Sequence, residues 1–142
     1  MRLIITFLLL SLSLVNFGQR GKMGNVTISS TSIVNEYTTL TSNATVGSTT
    51  INVANSGLNA NNRFSGNLVA GDLILIIQMQ GVSVDNTNNG SLFGNITNYN
   101  NCGNYEFCEV AAVPNATSIS IRCGLQKDYT SAGRVQVIRV PR

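Results

Sequence analysis

Histidine and tryptophan are missing from this 142-residue chain, and proline occurs only at positions 114 and 141. Without histidine there is no imidazole base, no histidine-based catalytic triad and no histidine ligand for a metal. Charge is scarce as well: Asp, Glu, Lys and Arg make up 11% of the residues, against the usual quarter. The six acids are Glu36, Asp72, Asp85, Glu106, Glu109 and Asp128. Their one close pair, Glu106 and Glu109, lies three residues apart on a predicted strand, so the two face opposite sides and cannot share a substrate. The formal net charge is +3, and +2 once Arg2 is set aside with the N-terminal leader. Arg20, Lys22, Arg63, Arg122, Lys127, Arg134, Arg139 and Arg142 are scattered, so the stripe of cations with stacking aromatics that nucleic acid demands is absent. These absences argue against an enzyme and imply no cofactor.

Asparagine fills the polar gap, with 19 residues, helped by many Ser, Thr and Gly. Such side chains bond locally to the backbone, which depresses helix and favours turns and strand edges. The expected fold is all-β: a small antiparallel sandwich or partly open barrel of about six strands, with a long Asn-rich loop.

The N-terminus departs from this composition. Met1 and Arg2 precede an apolar run from Leu3 to Val15, broken only by Thr6, Ser11 and Ser13. One positive charge, an apolar core and then small or polar residues follow the plan of a secretory signal peptide over residues 1–18. The run is short for a membrane span of roughly 20 residues. The chain is therefore expected to be exported, secreted or held at the cell surface, meeting the membrane only through this peptide. A flexible polar segment, 19–33, is expected before a β module that occupies 34–142.

Within that module the stretch 71–81, GDLILIIQMQG, is the strongest signal. Five apolar residues bounded by turn glycines predict a core strand buried on both faces, with Leu73, Ile74, Leu75, Ile76, Ile77, Gln78 and Gln80 as core positions. Residues 34–40 predict a first short strand. Ile51 and Val53 alternate with polar neighbours as in a half-buried strand. Phe64 and Leu68 are expected to pack back onto the core. Residues 82–104 read as a polar insertion, anchored by Leu92, Phe93 and Ile96. Residues 105–113 and 117–122 form a predicted hairpin with Ile119 and Ile121 inward, and 134–140 a last strand.

Two features carry candidate chemistry. Amides and aromatic rings suit sugars, so Asn98, Tyr99, Asn101 and Tyr105 form a candidate ligand loop for a glycan. The three cysteines, in an exported chain, can form disulfides. If the hairpin turns at residues 114–116, residues whose numbers add to about 231 lie opposite one another, and Cys108 faces Cys123. Cys102–Cys123 is the alternative, as is no bond at all, and an odd count leaves at least one thiol free. Asp85 to Gly90 partly matches a calcium loop, but Thr87 stands at its third position and Ile96 where a bidentate Glu belongs. No metal site is expected. Chance accounts for most of the five N-x-S/T sites, at Asn25, Asn43, Asn89, Asn95 and Asn115, in such a composition, and they matter only in a eukaryotic secretory pathway.

The segments at 34–40, 48–54, 56–60 and 64–66, the QMQG-ended core strand, GNYEF at 103–107, CGLQ at 123–126 and VQVIRVP at 135–141 resemble the N-terminal module of large secreted Bacteroidetes surface proteins. Those proteins often end in a gliding-motility-associated or type IX secretion sorting domain. The resemblance spans residues 34–142 and implies a truncated, non-catalytic structural or adhesion module of an exported bacterial cell-surface protein. Its implied partners are a glycan or another surface protein. A carbohydrate-binding accessory module of a secreted enzyme is the alternative, and a structural cap on a longer β array a third.

Overall fold

The computed structural model describes residues 27–141, so the predicted leader lies outside them. The fold is all-β. Its strands are β1 (Glu36–Thr39), β2 (Thr50–Asn52), β3 (Leu73–Gln78), β4 (Ser83–Val84), β5 (Ile96–Asn98), β6 (Tyr105–Asn115), β7 (Ser118–Ile121) and β8 (Val135–Val140). A 3-10 turn, Ser131–Gly133, precedes β8.

Six strands form one antiparallel sheet in the order β1-β8-β3-β6-β7-β2. A bridge between Leu40 and Val53 joins its two edge strands. It is held by Thr41 N donating to Asn52 O (2.9 Å) and Ala54 N donating to Thr39 O (3.0 Å). The sheet thereby curls into the partly open barrel that the composition predicts, and the edges that would otherwise template aggregation meet each other.

Period-2 alternation decides which side chains enter the barrel. Ile51, Val53, Ile74, Ile76, Val110, Ile119, Ile121, Val135 and Val137 are buried and form its core with Leu125 and Tyr129. Leu68 packs back onto this core as expected, whereas Phe64, though buried, lies outside the cluster. Burying side chains such as Ile74 and Ile76 stabilises the fold by about 1.5–3 kcal/mol each. β3 is central, hydrogen-bonded to β8 on one side and β6 on the other.

Several expectations need correction. β3 is not buried on both faces: only Ile74, Ile76 and Gln78 point into the core, while Leu73, Leu75 and Ile77 lie half-buried on the outer face. In a barrel only one face of each strand has an interior to fill. Gln80 does not share the burial of Gln78, because the strand ends at Gln78 and both Met79 and Gln80 are exposed. The insertion at 82–104 is not a plain loop, since β4 and β5 pair within it as a second small sheet. Leu92, Phe93 and Ile96 do not anchor it, being 46%, 67% and 51% exposed.

The predicted hairpin register holds where the strands are regular, with Val110 opposite Ile121 and Arg122 N donating to Glu109 O (2.9 Å). The predicted disulfide does not follow from it. Cys102, Cys108 and Cys123 are all free thiols. β7 stops at Ile121, and the chain then docks on the Gly47 turn through Gly47 N to Leu125 O (2.8 Å) and Leu125 N to Ser48 O (3.0 Å). That detour leaves Cys123 exposed while Cys108 points into the barrel. The alternative pair fails as well, because Cys102 sits on the far loop with its thiol toward Met79 O at 3.5 Å.

Polar groups plug one end of the barrel. Arg139, buried, donates to Asp72 Oδ2 at 2.8 Å and Gly66 O at 2.7 Å, and its guanidinium lies 4.0 Å from the Phe64 ring centroid. Beside it Glu36 accepts from the backbone and side-chain amides of Asn61 at 3.0 and 2.9 Å, with Arg63 at 3.6 Å. Desolvation raises the Glu36 pKa, but the Asn61 hydrogen bonds and the Arg63 charge outweigh it, so the carboxyl titrates below its usual range.

Candidate functional site

The opposite end of the barrel is built around Gln78. Its side chain is 1% exposed, so both ends of its amide need partners. Nε2 donates to Gln80 O and Asn100 O, each at 2.8 Å, and Oε1 accepts from Thr130 N at 2.8 Å. The backbone joins in: Gln78 N donates to Asn104 O and Gly103 N to Gln78 O, both at 2.9 Å. One side chain therefore fastens the end of β3 to the loop before β6 and to the turn before β8. The fit is tight, since a Cβ at Gly133 would run into Gln78 Nε2 and Gln80 O, and one at Gly81 would meet Asn100 O.

The loop held there folds through its own asparagines. Asn98 Oδ1 accepts from Asn100 N (2.8 Å), closing an Asx turn. Asn100 and Asn101 adopt left-handed φ of 47° and 66°, which asparagine tolerates better than other side chains do, and Gly103 follows at 86°. Asn100 Nδ2 donates to Gly81 O and Ser83 Oγ, each at 2.8 Å, and Asn104 Nδ2 donates to Asp128 O at 3.0 Å.

Between these turns lies an open depression of about 660 Å³ lined by Thr97, Asn98, Tyr99, Asn100, Asn101, Cys102 and Asn104. Of the residues expected to bind a ligand, Asn98, Tyr99 and Asn101 are brought together here. Tyr105 is not: it begins β6 beside the depression and projects from the outer face of the sheet, 56% exposed. Asn100 and Asn104 join the lining without having been singled out, because Asn100 is placed by the Gln78 side-chain amide 22 positions away and Asn104 by the Gln78 backbone N–H 26 positions away. Their signal was the density of Asn before an aromatic strand. The Tyr99 ring is 64% exposed, and no charged side chain lines the depression.

Most of the other candidate groups are occupied in local contacts. Among the described residues no set of three acids or cysteines could hold a metal. Asp85 spends its carboxylate on Thr87 N and Oγ1, at 2.8 and 2.6 Å, which lowers its pKa. The Glu106 carboxylate points inward and caps the backbone amides of Gln126 (3.0 Å) and Lys127 (3.3 Å), whereas Glu109 on the outer face pairs with Arg122 at 2.6 Å. Burial, with Glu106 and Cys123 adding to it, pushes the Cys108 thiol up to about 12. Burial and then Glu106 likewise keep the Tyr129 hydroxyl protonated, and that hydroxyl makes no hydrogen bond of ordinary geometry.

No protein-family profile and no curated protein matches the chain. Among solved structures it is similar in part to three phage tailspikes. These are gp61 of Pseudomonas phage phi297 (18% identity, TM-score 0.46, 73% of this chain), gp49 of Pseudomonas phage LKA1 (28%, 0.42, 76%), and Gp54 of Acinetobacter baumannii bacteriophage AP22, solved in complex with A. baumannii capsular saccharide (18%, 0.45, 74%). The chain spans 14% to 15% of the length of these tailspikes.

Proposed function

We propose that this chain is a non-catalytic adhesion module of an exported bacterial surface protein, of the secreted Bacteroidetes type that its sequence resembles, and that it holds a neutral carbohydrate in the depression at 97–104. The observation that carries this reading is the lining itself: amide side chains around an exposed Tyr99, with no charge among them. Amides donate and accept in pairs, as sugar hydroxyls do, and an aromatic face covers the apolar side of a pyranose ring. The absence of ionic groups favours a neutral glycan over an acidic one. A non-catalytic role is supported by the chemistry of the titratable groups, whose carboxylates serve as structural acceptors and whose one buried thiol stays protonated at neutral pH.

Glycan-array screening followed by calorimetry on the best ligand tests the proposal. Tyr99→Ala and Asn101→Ala are expected to lower affinity by roughly tenfold or more, since losing one well-placed contact costs about 1–3 kcal/mol. Raising the salt concentration is expected to change binding little, because no charge takes part. Absence of any binder above background on folded protein would end the carbohydrate reading.

A further inference from the structure

The outer face of the barrel is apolar where solvent-facing sheet is ordinarily polar. The register places Tyr37, Ile138, Leu75 and Phe107 side by side in one row across β1, β8, β3 and β6. Val140 and Leu73 continue the apolar surface in the next row, ending at Glu109 with its Arg122 partner. On the other side run Thr39, Gln136, Ile77 and Tyr105. Tyr37, Phe107 and Tyr105 are 63%, 57% and 56% exposed, and the aliphatic side chains between them are half-buried. At about 150–250 Å² per aromatic ring, the patch offers on the order of 500 Å² of apolar surface, the upper range for a protein that works alone.

We infer that this face is the contact between two copies of the chain. The main row reads aromatic, aliphatic, aliphatic, aromatic. A two-fold axis parallel to the strands sets each Tyr37 against the partner copy's Phe107 and each Ile138 against its Leu75. The neighbouring row obeys the same operation, with Val140 against Leu73. The outer surface of a barrel is convex, and the large rings stand at the flanks of the row while the smaller side chains occupy its crest. The sizes thus level the face into one that a copy of itself can meet. Two such faces hide about 1,000 Å², the lower bound for a specific interface, so the association expected is weak and concentration-dependent. The uncharged centre and the ion pair at its edge match the core and rim of such contacts.

Sedimentation equilibrium of the full chain over a concentration series is the test. A monomer–dimer equilibrium is expected, with dissociation at least tenfold weaker in Phe107→Ser and Leu75→Lys. Both sites are exposed or half-buried, and circular dichroism verifies that both variants fold. Val46→Ser, at an exposed turn elsewhere, is expected to dimerise as the parent does. Oxidation of the double variant Tyr37→Cys, Phe107→Cys is expected to yield an intermolecular peptide joining the two new thiols. A monomer at all concentrations, or undiminished association in Phe107→Ser, overturns the inference. Retention on a neutral polysaccharide that Phe107→Ser abolishes, in a protein that stays monomeric, also overturns it and assigns the face to glycan.

Discussion

At the scale of single residues, the Gln78 side chain ties three separate segments together. Its one amide satisfies Thr130 N and the carbonyls of Gln80 and Asn100, and leucine at this position would leave all three without a partner. Gln78→Leu is therefore expected to cost about 1–3 kcal/mol, felt first by the segments the amide holds. Hydrogen exchange should show lost protection at 99–104 and 130–133 while β3 remains protected. Uniform loss across the barrel would refute this. The need for partners at position 78 was legible in the sequence, since an amide at the end of a core strand cannot stay unpaired. Which groups supply them was legible only in part: the Asn-rich loop that follows provides Asn100 O, but Thr130 lies 52 positions away. The same limit explains the cysteines: the register that sets Cys108 opposite Cys123 was readable, but not the docking of residues 124–125 on the Gly47 turn that takes Cys123 off it.

At the scale of elements, β3 and β8 lie side by side and close the two ends of the barrel differently. Gln78 ends one with neutral amides, and Asp72 with Arg139 ends the other with a buried ion pair. Removing one member of a buried pair leaves a desolvated charge, which typically costs about 3–5 kcal/mol. Asp72 also accepts from Val69 N at 3.0 Å and so fixes the turn into β3. Asp72→Ala is expected to lower the unfolding free energy by an amount in that range, read as a lower urea midpoint at unchanged m-value. Arg139→Met should cost less, since it leaves the Asp72–Val69 turn contact in place and keeps apolar bulk against Phe64. Equal losses in the two variants would show that the ion pair, not the turn, decides stability here. The sequence placed Asp72 in a turn and Arg139 on a strand, but only the antiparallel pairing of β3 with β8 makes them neighbours.

For the whole molecule, the closing seam is the thinnest part of the barrel. β1 and β2 meet through one bridge, whereas β3 pairs along its length with both neighbours. Opening should begin at the seam, because local stability follows the density of buried contacts and shared hydrogen bonds. The Thr41 and Ala54 amides are expected to exchange faster than those of Ile74 and Ile76, which NMR-detected exchange can read directly. Comparable protection at both places would mean that the barrel opens only as a unit. The seam is also the part of the fold least visible in advance: Leu40 and Val53 each sit at the end of a short alternating stretch, with nothing local to name the other as partner.

The sequence by itself determined that the chain makes strands and which residues alternate inward in β2 and β7. It also located the amide-rich, uncharged loop around Tyr99. These follow from composition and a period of two, both local properties. Tertiary structure decided that β3 buries one face rather than two, that the three thiols stay apart, and that Asn100 and Asn104 line the same depression as Asn98 and Asn101. Each of these depends on where the curved sheet brings distant segments together, and curvature comes from pairing among all six strands, not from any one of them.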